Sequence, residues 1–102
     1  MIWHNEHWRA TWVADDDLAH YELEKPYGSK RGVWILEISI DISASSELRV
    51  WIEYTSLVKA KRDARAAGQR LLNMLTPRMR LSAWAYAAKK KAEQEAEREA
   101  GE

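Results

Sequence analysis

Val33-Trp34-Ile35-Leu36-Glu37-Ile38-Ser39-Ile40-Asp41-Ile42 decides the fold. Trp34, Leu36, Ile38, Ile40 and Ile42 recur at a strict spacing of two, with Glu37, Ser39 and Asp41 between them. Successive side chains of a β-strand point to opposite faces, so the pattern places five large apolar groups on one side of a sheet. A slip of one residue would turn all of them into water, which makes the register firm. Leu48-Arg49-Val50-Trp51-Ile52-Glu53-Tyr54 repeats the rule, with Leu48, Val50, Ile52 and Tyr54 inward and Arg49, Trp51 and Glu53 outward. Ser43 to Glu47 between them is a turn, and so short a connection joins antiparallel neighbours.

Upstream, residues 7–14 alternate in part: Trp8, Ala10, Trp12 and Ala14 share one face, and His7, Arg9, Thr11 and Val13 the other. Asp15-Asp16-Asp17 is a polar interruption. Residues 18–25 alternate again, with Ala19, Tyr21 and Leu23 opposite His20, Glu22 and Glu24. Pro26-Tyr27-Gly28-Ser29-Lys30-Arg31-Gly32 is a loop, since Pro and Gly punctuate it.

Downstream the period changes. Thr55 or Ser56 is a good N-cap. From there Leu57, Ala60, Ala64, Ala67, Leu71 and Leu75 recur at three- and four-residue steps, which predicts a helix over 57–75. The small residues Ala60, Ala64, Ala67 and Gly68 allow it to lie close to the sheet. Thr76-Pro77 starts a second helix, expected from 77 to about 99. Met79, Leu81, Trp84 and Tyr86 let its first half dock. Its second half offers only alanines as apolar residues, and Glu95, Glu97 and Glu99 oppose the helix dipole. The C-terminal helix is therefore expected to fray partly or to be held by a partner.

The predicted fold is α+β. A three- or four-stranded antiparallel meander packs on one helix within residues 1–76, and 77–102 form a C-terminal helical extension. The predicted core is Trp34, Leu36, Ile38, Ile40, Val50, Ile52, Leu57, Ala60, Ala64, Leu71 and Leu75, joined by Tyr21 and Leu23.

Across 102 residues the net charge is zero, but the charges are segregated. Residues 1–56 hold ten acids and five bases, 57–91 ten bases and one acid, and 92–102 five acids and one base. The basic block suits a polyanion or the chain's own acids. No cysteine is present, which excludes disulfides and thiolate metal sites. The N-terminus lacks the basic and apolar regions of a signal peptide, and Val33 to Leu36 is too short a run to span a membrane. The chain reads as cytoplasmic with no membrane partner.

The motifs favour binding over catalysis. No Gly-rich phosphate loop, nucleophile elbow or H-E-x-x-H pattern occurs. His4, His7 and His20 with Asp15, Asp16 and Asp17 offer ligand types, but His4-x-x-His7 lies outside any predicted helix and the aspartates fit no calcium loop. Neither a catalytic residue, a metal site nor a cofactor is assigned. The expected function is protein binding through the outer sheet face, where Val33, Ile35 and Trp51 point, with Trp8 and Trp12 as further candidates. Aromatic anchors with a charged rim suit an interface. The alternative is nucleic-acid binding through Arg62, Arg65, Arg70, Arg78, Lys89, Lys90 and Lys91. The outer-face acids Glu22, Glu24, Glu37, Asp41 and Glu53 would repel a phosphate backbone, so only the helix side would serve. Ala85, Ala88, Ala92 and Ala96 form a narrow stripe suited to a homodimer through the C-terminal helix.

Tyr54-Thr55-Ser56-Leu57-Val58-Lys59-Ala60-Lys61-Arg62-Asp63-Ala64 resembles a pattern of small bacteriophage and prophage proteins. There a Trp-rich strand meander ends in a Ser-Leu-x-x-Ala-Lys-x-x-Ala helix start. The likeness covers residues 33–72, with Ala60, Lys61 and Ala64 on the pattern, and the tail after Pro77 departs from it. It implies a phage-encoded accessory protein that binds and modulates a host protein or regulates transcription, and it transfers no functional residue.

Overall fold

A computed structural model describes residues 1–6, 11–16, 18–25 and 32–101. The chain is α+β, with strands β1 (His4–Glu6), β2 (Thr11–Asp15), β3 (Ala19–Glu24), β4 (Trp34–Ser43) and β5 (Ser46–Tyr54) followed by helices α1 (Leu57–Met74) and α2 (Pro77–Ala100). The strands form one antiparallel sheet in sequence order. Among the described residues it has five strands rather than three or four. The extra one, β1, has only three residues and shows no alternation of its own. It pairs His4 with Val13 and Glu6 with Thr11.

The register confirms the parity of the sheet. Ala14, Tyr21, Ile38 and Val50 lie on one rung, and Leu23, Leu36 and Ile52 on the next rung of the same face. Leu23, Leu36 and Ile38 are 0% exposed. Trp34, Val50, Ile52 and Leu57 are partly buried and pack against that core. Burying each large apolar side chain contributes about 1.5–3 kcal/mol, so this face carries much of the stability.

Helix α1 covers the inner face. The Ser56 hydroxyl accepts a hydrogen bond from the Lys59 backbone N–H at 3.3 Å, satisfying one of the free donors of the first turn. Ala60, Ala64, Ala67, Gly68 and Leu71 are its buried stripe. These small groups let the helix approach the sheet closely. At Gly68 an added Cβ would overlap the Tyr21 hydroxyl and lie 2.9 Å from Tyr21 Cζ. The tyrosine ring occupies the space that glycine leaves. That burial, with Asp16 adding to it against Arg65, pushes the Tyr21 phenol up to about 12.

Helix α2 begins at Thr76, whose hydroxyl accepts from the Met79 N–H at 3.1 Å, with Pro77 in the first turn. Its first half packs on β4 through Ala83, the one α2 residue that is fully buried. The Ser82 hydroxyl donates to the Ile42 carbonyl at 2.9 Å. Lys90 Nζ lies 3.2 Å from Asp41 Oδ2. From Ala88 to Gly101 every residue is exposed. The helix nevertheless runs on to Ala100, where the Gly101 N–H bonds the Glu97 carbonyl at 3.0 Å.

Candidate functional site

Two rungs of the outer sheet face, alternating with those of the core, carry the candidate site. One rung runs Val13, Glu22, Glu37, Trp51, and its neighbour Thr11, Glu24, Ile35, Glu53. Trp51 is 62% exposed, although it sits in the interior of β5. Its indole Nε1–H donates to Glu37 Oε2 at 3.2 Å, which fixes the ring beside a carboxylate. Trp51, Ile35, Glu22, Glu24 and Glu37 line an open depression of about 230 Å³.

Acids face one another across this sheet. Glu22 is directly opposite Glu37, and Asp41 opposite Glu47, an arrangement that costs stability unless it is compensated. Each of these four has a cation or an imidazole from its own chain. Arg49 lies 3.2 Å from Glu37 and 2.6 Å from Glu47, Lys90 reaches Asp41, and His20 Nε2 is 3.3 Å from Glu22. Among the described residues, Glu24 and Glu53 have no such partner. They flank Ile35 on its rung.

The expected protein-binding residues are therefore partly assembled. Trp51 and Ile35 share the outer face, as read from parity. Val33 is half-buried and precedes β4, so the strand ladder assigns it no face. Trp8 lies outside the described residues. Trp12 is corrected: its rung partners are Leu23 and, through it, Leu36, which puts it on the helix side. Lys61 Nζ sits 3.1 Å from the centroid of its ring, a cation–π contact that covers the indole. The period of two forces this outcome. Once Ala14 turns inward, Trp12 must turn with it. Burial lowers the Lys61 ammonium below its ordinary value.

The alternative residues are all exposed: Arg62, Arg65 and Arg70 on α1, Arg78 in the first turn of α2, and Lys89, Lys90 and Lys91 further along it. Three already have anionic neighbours. Arg62 lies 3.7 Å from Asp63, Arg65 3.9 Å from Asp16, and Lys90 is bound to Asp41.

A second concavity, about 460 Å³, lies where the β2–β3 turn and the end of β4 meet α2. His20, Asp15, Ser39, Asp41, Lys90 and Lys91 are in its wall. His20 Nδ1 is 2.8 Å from Asp15 Oδ1 while Nε2 faces Glu22. Partial burial pulls the imidazole down, but hydrogen bonds and charge from both carboxylates outweigh it, and the net shift is upward. With a carboxylate on each nitrogen, His20 favours the imidazolium form and serves as an ion-pair bridge. No group of three or more candidate metal ligands gathers among the described residues. Nor does any helix there have the length and apolarity to cross a membrane.

Compared with known proteins, the chain matches no family model, no curated protein and no solved structure. The sequence pointed to Trp51 and Ile35 by parity. It carried no signal that Glu37 lies across from Trp51, because that juxtaposition depends on the β4–β5 register, which is offset by an irregularity between Asp41 and Ser43.

Proposed function

We propose that this chain is a non-enzymatic binding protein that engages a partner protein through the outer face of its sheet. The observation that supports this most strongly is Trp51. A large aromatic group in the interior of a strand is left mostly in water, oriented by Glu37, and bordered by Ile35 and a rim of carboxylates. Trp is among the residue types that carry most binding energy in protein interfaces, and a polar rim around such an anchor is the usual interface anatomy. The bacteriophage resemblance of residues 33–72 makes a host protein the partner in this reading. Binding rather than catalysis is supported by the wall of the larger cleft, where His20 and Lys90 are engaged by Asp15, Glu22 and Asp41.

The test is site-specific photo-crosslinking from a benzoylphenylalanine placed at position 39, on the outer face two residues from Glu37, and, separately, at position 70, in extract of the host. The reading expects a discrete protein adduct from position 39, lost when Ile35 is also changed to Asp, and none from position 70. Adducts from position 70 alone would overturn it.

The second reading, nucleic-acid binding, is favoured by Arg70, Arg78, Lys89 and Lys91, which have no ionic partner among the described residues. It expects retention of DNA or RNA in a gel shift that weakens steeply with salt. Because the sheet face is acidic, Trp51→Ala would leave that retention unchanged.

A further inference from the structure

The partner's chemistry can be taken further, resting on the protein-binding reading above. Glu22, Glu37, Asp41 and Glu47 stand in two acid-against-acid rungs, and the chain holds each with Arg49, Lys90 or His20. The rung between Trp51 and the β4 start is different. Ile35 is flanked by Glu24 on β3 and Glu53 on β5, and neither carboxylate has a cation of its own among the described residues. The depression beside them is lined by Glu22, Glu24, Glu37, Ile35 and the indole of Trp51. An apolar floor, an aromatic side and uncompensated carboxylates meet in one place.

We propose that this face docks a basic segment of the partner protein, and that an arginine side chain of that segment fills the depression beside Trp51. A guanidinium is planar and weakly hydrated, so it stacks on an indole while its N–H fork donates to carboxylates. Its aliphatic stem covers Ile35. Glu24 and Glu53 supply the charge that the rest of the sheet does not neutralise. A lysine ammonium satisfies the charge but not the stacking, so it binds more weakly. Phosphate-bearing ligands are repelled from this side.

The test uses the full chain and a fluorescein-labelled peptide of alternating Arg and Gly, with Lys/Gly and Glu/Gly counterparts, read by fluorescence anisotropy. The expected order of affinity is Arg above Lys, with no binding of the Glu peptide. The double variant Glu24→Gln, Glu53→Gln and, separately, Trp51→Ala should each weaken the Arg peptide by roughly tenfold. Both variants involve exposed side chains, and circular dichroism checks that they stay folded. Failure of the Arg peptide to bind, or unchanged affinity in the Gln double variant, would overturn arginine recognition. If the crosslink from position 39 persists in that case, the sheet face remains a protein-binding surface of another chemistry. If both are lost, the protein-binding reading falls as well.

Discussion

Adjacent rungs of the same four strands have opposite fates. Ala14, Tyr21, Ile38 and Val50 share one rung, closed over by α1 and largely dry. One residue along, Val13, Glu22, Glu37 and Trp51 share the next, with two acids face to face and an indole in water. Backbone pairing is the same in both, so the contrast comes from side chains and from what covers them. The first rung is where the fold is held. The second gains little stability from Trp51 and needs Arg49 and His20 to hold its facing carboxylates, which is the pattern of a surface kept for another molecule.

The most damaging change makes the two rungs alike. Ile38→Asp puts a carboxylate where the side chain is 0% exposed. Loss of the buried group costs about 2–5 kcal/mol, and an unpaired buried charge adds to it, against a total stability of about 5–15 kcal/mol. The variant should lack a cooperative thermal transition by circular dichroism. A folded variant would mean that the inner face had been misassigned.

The next effect tests how closely α1 lies on that inner rung. Gly68→Ala would gain about 1 kcal/mol of helix propensity, but the new methyl would meet the Tyr21 ring. Overpacking of about 1–3 kcal/mol should prevail, and the midpoint of urea unfolding should fall. Adding Tyr21→Phe removes the hydroxyl that the methyl strikes and should recover part of the loss. A stabilised Gly68→Ala would show that the helix stands further off.

A smaller effect separates the acid-rich outer face from the core by pH. His20 has a raised value in the folded chain because Asp15 and Glu22 hold its charged form. Its contribution is therefore fully present below the ordinary imidazole value of about 6.5 and is lost as pH rises through the elevated folded value. It also needs ionised carboxylates, so it fades again in strong acid. The stability gap between the natural chain and His20→Gln should be widest near pH 5.5 and narrow by pH 8.5. A gap independent of pH would mean that the bridge contributes nothing.

The parity of β4 and β5 was legible because one face of each strand is uniformly apolar. The helices were legible through their change of period and through Ser56 and Thr76 at the caps. β1 was not, because three residues, two of them polar and exposed, carry no pattern. Trp12 was grouped with the candidate surface although it alternates in step with Ala14, because which face that stripe takes is set by its pairing with Leu23 and Tyr21 on β3, which the alternation alone does not give. The acid-on-acid rungs escaped the sequence for a related reason. Alternation says which face a side chain takes but not which residue it meets.

The most direct test is Trp51→Ala measured two ways on the same preparation, by urea unfolding and by retention of the partner identified by crosslinking from position 39. Because the ring is mostly in water, the expected result is a loss of stability under about 1 kcal/mol together with loss of the partner. A folded variant that still retains the partner, or one that unfolds outright, would contradict it.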